Sequence, residues 1–207
     1  MIEDYYEQLW ERLPLDLQPP DLKLRRRFLL KRVSSGDRAL DLGCGEGTFT
    51  SVLADAGAIA IGVEVADAAL ARARAAHPGL DFRPAPIDGP LPFDDQTFDL
   101  VWASEVIEHV ADTERWIVEV RRVLAPGGRL LVTTPNHGRA PLLIHGIERY
   151  SEPFGDHLHL YTRRSLRATL TEVGFKRVEV RSAGGAPGFR RLLLTSAVLA
   201  QDQRHAG

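Results

Sequence analysis

The chain has one cysteine, three lysines and no long apolar run, and each scarcity removes a class of protein. A lone Cys44 cannot close a disulfide within the chain, so nothing in the sequence calls for an oxidising compartment. Lys23, Lys31 and Lys176 do not complete a Tyr-x-x-x-Lys pair, which a nicotinamide-dependent oxidoreductase would use in hydride transfer. The longest apolar stretch, Leu192 to Ala200, is interrupted by Thr195 and Ser196 and is too short to span a bilayer. The opening residues Met1-Ile2-Glu3-Asp4 are acidic, whereas a secretion signal is basic and then apolar; a cytoplasmic protein with no membrane partner is expected. Charge of one sign is lacking as well, since 26 Lys and Arg face 28 Asp and Glu for a formal net charge of -2. Nucleic-acid modules carry a clearly basic stripe, so no such partner is expected. The basic cluster Lys23, Arg25, Arg26, Arg27, Lys31, Arg32 alternates with Leu24, Phe28, Leu29 and Val33 at helical spacing and reads as a solvated helix face.

What is present is the composition of one globular domain: 207 residues, 44% hydrophobic and 26% charged, without repeats or a Pro/Gly-rich linker. The first 35 residues read as two amphipathic helices parted at Leu17-Gln18-Pro19-Pro20. From Arg38 strands and helices alternate. Strands are expected at 39–42, 58–65, 80–83, 98–103, 129–134, 175–182 and 191–200. Between them, Phe49, Val52 and Leu53 mark one helix, and the alanine-rich run 67–76 a second. Trp116, Ile117, Val120 and Val123 mark a third, stopped by Pro126-Gly127-Gly128. A fourth starts at the N-cap Thr162 and buries Leu166, Leu170 and Val173 before Gly174. This alternation predicts a doubly wound α/β domain with a mainly parallel sheet covered on both faces. Ligands of such sheets bind at the carboxyl ends of the strands.

Asp41-Leu42-Gly43-Cys44-Gly45-Glu46-Gly47 sits at the end of the first strand. Glycines there allow a tight turn and a close approach of ligand to backbone. The spacing Gly-x-Gly-x-Gly departs from the dinucleotide fingerprint, which puts two residues before its third glycine. The acid-x-Gly-x-Gly-x-Gly pattern resembles the first motif of the class I S-adenosylmethionine-dependent methyltransferases, and the likeness runs from about Arg38 to the chain end. It implies a Rossmann-like, seven-stranded sheet with an antiparallel last strand, and S-adenosylmethionine as cofactor. It also implies that Gly43, Cys44, Gly45 and Gly47 lie along the methionine part and that Asp41 holds the loop and the methionine amino group. Glu64 and Val65 at the second strand end would take the ribose, Ile87 and Asp88 the adenine, and Ser104 would border the same cleft.

Ser104-Glu105-Val106-Ile107-Glu108-His109 follows the fourth strand. Residues three and four apart share a helix face, so Glu105, Glu108 and His109 are expected to converge there. With the later Asp156-His157-Leu158-His159-Leu160-Tyr161-Thr162, the segment resembles the metal-dependent O-methyltransferases of ubiquinone biosynthesis and the small-RNA 2′-O-methyltransferases. That resemblance implies a magnesium-like ion on Glu105, Glu108, His109 and His157, with His109, Glu105 and His157 as catalytic groups. The residues leave a metal-free reading open, with the glutamates capping a helix and His109 acting as general base.

Residues 1–35 are expected to form a helical lid, with Tyr5, Tyr6 and Trp10 over the cofactor or packed on the sheet. Residues 36–207 then form the cofactor-binding domain. An insertion at about 135–161 brings Asn136, His137, Arg139, His145, Arg149, Tyr150, Phe154, His157 and His159 to the acceptor side. The expected partner is a small hydroxylated acceptor and the expected state a monomer or homodimer. N- or C-methylation without metal, and non-catalytic binding of S-adenosylmethionine, are the alternatives.

Overall fold

Ala39, Leu40 and Leu42 are buried on both sides of the strand Arg38–Leu42 (β1), which runs down the middle of a seven-stranded sheet. The computed structural model describes residues 2–14, 18–138, 142–143, 146, 157–186 and 189–200. Strands Ile59–Glu64 (β2), Asp81–Pro84 (β3), Phe98–Ser104 (β4), Leu124–Pro135 (β5), Phe175–Ala183 (β6) and Leu192–Leu199 (β7) complete it in the order β3-β2-β1-β4-β5-β7-β6. The first five pair in parallel, and β7 is antiparallel to both β5 and β6. The antiparallel last strand is as expected, and it lies inside the sheet, between β5 and β6. Strand order reverses at β1, where β2 leads away on one side and β4 on the other. The crevice at this switch point is the ligand site of open α/β sheets.

The side-chain period of two divides the core between the sheet's faces. Val101 and Ala103 of β4 join Ile117 and Val120 of Thr113–Val123 (α5) and Leu166 and Leu170 of Arg163–Glu172 (α6) on one face. Leu100 and Trp102 join Phe28 of Leu22–Leu30 (α2) and Phe49 of Thr48–Asp55 (α3) on the other. Trp102 is fully buried, its ring centroid 5.1 Å from Phe49 and 6.2 Å from Phe28. Asp67–Ala76 (α4) covers β3, and Ile2–Arg12 (α1) packs on α4. The Glu7 carboxylate accepts from the Ala68 N–H at the start of α4, at 3.1 Å, where the helix leaves its amides unsatisfied. Arg72 of α4 donates to the carbonyls of Trp10, Leu13 and Pro14 at the other end of α1.

Two expectations need correction. Glu105 to Val110 is a turn, not a helix: Glu105 has φ 58°, and α5 begins only at Thr113, capped by Asp112 accepting from the Arg115 N–H at 3.0 Å. Also, β5 begins at Leu124, earlier than 129. Its Pro-Gly-Gly sequence is absorbed as a bulge, where pairing shifts between Phe98/Leu124 and Leu100/Arg129 and Gly127 takes φ 80°.

Candidate active site

A cleft of about 280 Å³ opens over the carboxyl ends of β1, β2 and β4. One end is formed by the glycine loop. Gly43 and Gly45 line the cleft at φ 74° and 52°, a conformation that disfavours any side chain. A Cβ on Gly43 would lie 2.5 Å from Val106 Cγ2, and one on Gly45 2.8 Å from the Trp10 ring. Glu64, at the end of β2, accepts the Gly45 N–H at 3.0 Å on Oε2 and the Val65 N–H at 2.8 Å on Oε1. Burial raises its pKa, and these amides offset part of the rise. Val65, Ile87 and Ser104 also line the cleft.

Four residues assigned to the cofactor lie outside the lining. Asp41 is buried beneath the loop, where the Thr50 hydroxyl donates to it at 2.6 Å and burial pushes its pKa up to about 7. Its contact is with the loop's foundation; it does not reach the cleft. Cys44 packs with Leu70, Ala73 and Phe82 behind the loop, its thiol pKa raised by burial. Gly47 lies against the Phe82 ring, where a Cβ would come within 2.6 Å. Asp88 follows the lining residue Ile87. Its Oδ1 is buried with no hydrogen-bond partner among the described residues. Leu9, Leu13, Pro86, Val106 and Trp116 also line the cleft. Leu9 and Leu13 were readable as the stripe that continues Tyr6 along α1; Trp116 carried only a core signal.

At the other end Glu105, Glu108 and His109 do not converge as one set. Glu105 Oε2 is 2.9 Å from Nη2 of Arg25, a 3% exposed side chain of α2, and its Oε1 accepts from the Thr133 hydroxyl at 3.1 Å. Burial raises the Glu105 pKa and Arg25 opposes that rise. Glu108 is fully buried, accepts from the Thr134 hydroxyl at 2.9 Å, and has its pKa pushed up to about 8 by burial and then by Glu105. Its other oxygen lies 3.8 Å from His109 Nε2. His109 borders the cleft, with ring centroids 5.0 Å from His157 and 6.3 Å from Tyr6. Glu108, His109 and His157 each present one donor atom within 4.8 Å of the others, but Glu105 is not among them. The four-residue set implied for a magnesium-like ion is therefore not assembled: a buried guanidinium supplies the positive charge beside Glu105. His157 Nδ1 lies 3.2 Å from Nε2 of the buried His137. Asn136 donates to the Arg190 carbonyl at 2.6 Å, and His159 faces the Ala111 carbonyl. Arg139, His145, Arg149, Tyr150 and Phe154 lie outside the described residues.

This fold and this cleft define the class I methyltransferase architecture. Residues 9–180 match the methyltransferase domain family, and the chain belongs to it. An S-adenosylmethionine-dependent methyltransferase from Mesorhizobium loti superposes with a TM-score of 0.71 at 26% identity, covering 89% of this chain and 100% of that one. A ubiquinone biosynthesis O-methyltransferase of Coxiella burnetii is 30% identical over 141 residues, 66% of this chain and 58% of that protein. A malonyl-[acyl-carrier protein] O-methyltransferase of Erwinia billingiae is 33% identical over 99 residues, 48% of this chain and 39% of that protein. The chain thus spans 39% to 58% of the length of these curated relatives.

Proposed function

We propose that the chain transfers the methyl group of S-adenosylmethionine to a hydroxyl oxygen of a small molecule, with His109 as the base and no metal ion. The observation that carries this reading is that His109 borders the same cleft as Gly43, Gly45 and Glu64, which joins a proton acceptor to a nucleoside-shaped cradle. When bound, S-adenosylmethionine supplies a methyl already activated on a sulfonium. The residues fit it: Glu64 at the strand end would accept from the ribose hydroxyls, Asp88 Oδ1 would offer an acceptor beside Ile87, and Gly43 and Gly45 leave the loop backbone bare along the cleft. His109 would take the hydroxyl proton while the acceptor oxygen forms its bond to the methyl carbon. The carbon–sulfur bond breaks with its electron pair left on sulfur. Glu108 Oε1, 3.8 Å from His109 Nε2, would lie beside the imidazolium that forms.

Helix α1 acts as the lid, since Tyr6, Leu9, Trp10 and Leu13 line the cleft and Arg72 and Glu7 fasten the helix to α4. Among the described residues no helix is long and apolar enough to cross a membrane, which suits an acceptor drawn from solution.

Calorimetric titration with S-adenosylmethionine and with NAD, followed by transfer of labelled methyl to a panel of dihydric phenols, tests this proposal. Binding of the first ligand and transfer undiminished by chelator are expected. Binding of NAD alone would sink it.

A further inference from the structure

His137 has no part in the reading above, yet it is 2% exposed and both its ring nitrogens are engaged. The Tyr161 N–H donates to its Nδ1 at 3.0 Å, so that nitrogen presents a lone pair. A ring whose Nδ1 accepts carries its single proton on Nε2. Nε2 lies 3.2 Å from Nδ1 of His157 and donates there. A nitrogen that accepts is itself unprotonated, so a neutral His157 carries its proton on Nε2. The backbone holds the rings in place. The His137 N–H donates to the Tyr161 carbonyl at 2.8 Å, and the Leu158 and His159 N–H groups donate to the Glu108 carbonyl at 2.8 and 3.1 Å.

We propose that His137 is a positioning residue: it locks His157 as the Nε2–H tautomer, a fixed hydrogen-bond donor beside His109, and so assigns proton acceptance to His109. This rests on the methyl-transfer reading of the adjoining cleft. It also removes His157 as a ligand from the cluster it forms with Glu108 and His109. One nitrogen of His157 is occupied by His137 and the other by a proton, which leaves no lone pair for a divalent ion.

Long-range proton–nitrogen NMR on the full chain labelled with nitrogen-15 reads imidazole tautomers directly. His137 and His157 are expected to show Nε2–H patterns that excess magnesium chloride leaves unmoved. His137→Phe should shift His157 towards a tautomer mixture. His137→Gln, whose amide both accepts and donates, should keep the wild-type pattern. An Nδ1–H pattern for His157, a magnesium-induced shift of its Nε2 signal, or identical behaviour of the two variants would overturn the proposal. The wild-type spectrum decides even if His137→Phe fails to fold. Calorimetry with S-adenosylmethionine on the same samples separates the two readings. Normal binding with the wrong tautomer defeats this inference alone, whereas absent binding defeats the methyl-transfer reading whatever the tautomer.

Discussion

The two ends of the cleft are built on different scales of the chain. Its donor end comes from neighbours in sequence: Gly43, Gly45, Glu64 and Val65 meet because β1 and β2 are adjacent and in register, Leu42 beside Val63. The acceptor end is gathered from afar. Glu105 is held by Arg25, 80 positions earlier in the chain (105 − 25), and by Thr133, while His109 meets His157 from beyond the last parallel strand. Short-range construction makes a site that its motif describes. Long-range construction makes one whose motif residues find partners the motif does not contain.

That contrast can be broken most sharply at His109. His109→Ala should lower turnover about 10²- to 10⁴-fold, the usual contribution of a positioned base, while leaving S-adenosylmethionine affinity unchanged by calorimetry. A matching loss of affinity would mean that the two ends are not separable. Next in size, Arg25→Met leaves Glu105, 25% exposed at the cleft, without its partner and should cost about 1.5–3 kcal/mol in denaturant unfolding. Glu105→Gln in the same chain should recover much of that loss. At the donor end, Gly45→Val forces a side chain into the Trp10 ring at φ 52° and should weaken S-adenosylmethionine binding at least about tenfold, roughly 1.4 kcal/mol, with the fold kept by circular dichroism. Normal binding by that variant would misplace the loop.

The buried carboxyls give a smaller, pH-dependent comparison. Asp41 and Glu108 have folded pKa values raised to about 7 and about 8, so each contributes stability below its unfolded pKa and loses it as pH rises towards the folded one. Between those limits each group should tilt stability down by roughly 1.4 kcal/mol per pH unit. Glu108→Gln should remove one group's share of the slope, read from unfolding midpoints between pH 5 and 8; an unchanged slope would mean that Glu108 is ionised in the fold. Smallest is Arg72→Ala, which loosens α1 and should raise the S-adenosylmethionine Kd a few-fold, by about 1 kcal/mol.

The sheet, its parallel character and the strand–helix alternation were legible because period-two and period-3.6 patterns are local. The glycine loop and Glu64 were legible for the same reason. The turn at 105–110 was not, because its helical spacing is overridden by Arg25, which holds Glu105 at a positive φ, and by α5 taking its cap from Asp112. Nor could spacing show that Asp41 turns to Thr50 of α3 and Cys44 to Leu70, Ala73 and Phe82, since those contacts are made by packing and not by the loop. Arg25 read as one more solvated cation among several, and only the packing of α2 on the sheet reveals it as the buried one.

The clasp between α1 and α4 has a consequence for the end of each cycle. Under the proposed function, demethylated nucleoside would leave past Tyr6 and Trp10, and the helix that carries them is fastened at its middle by Glu7 and at its end by Arg72. These contacts would have to yield before the product exits. How long the spent molecule stays would then depend on a handful of hydrogen bonds between two helices, away from the reacting atoms.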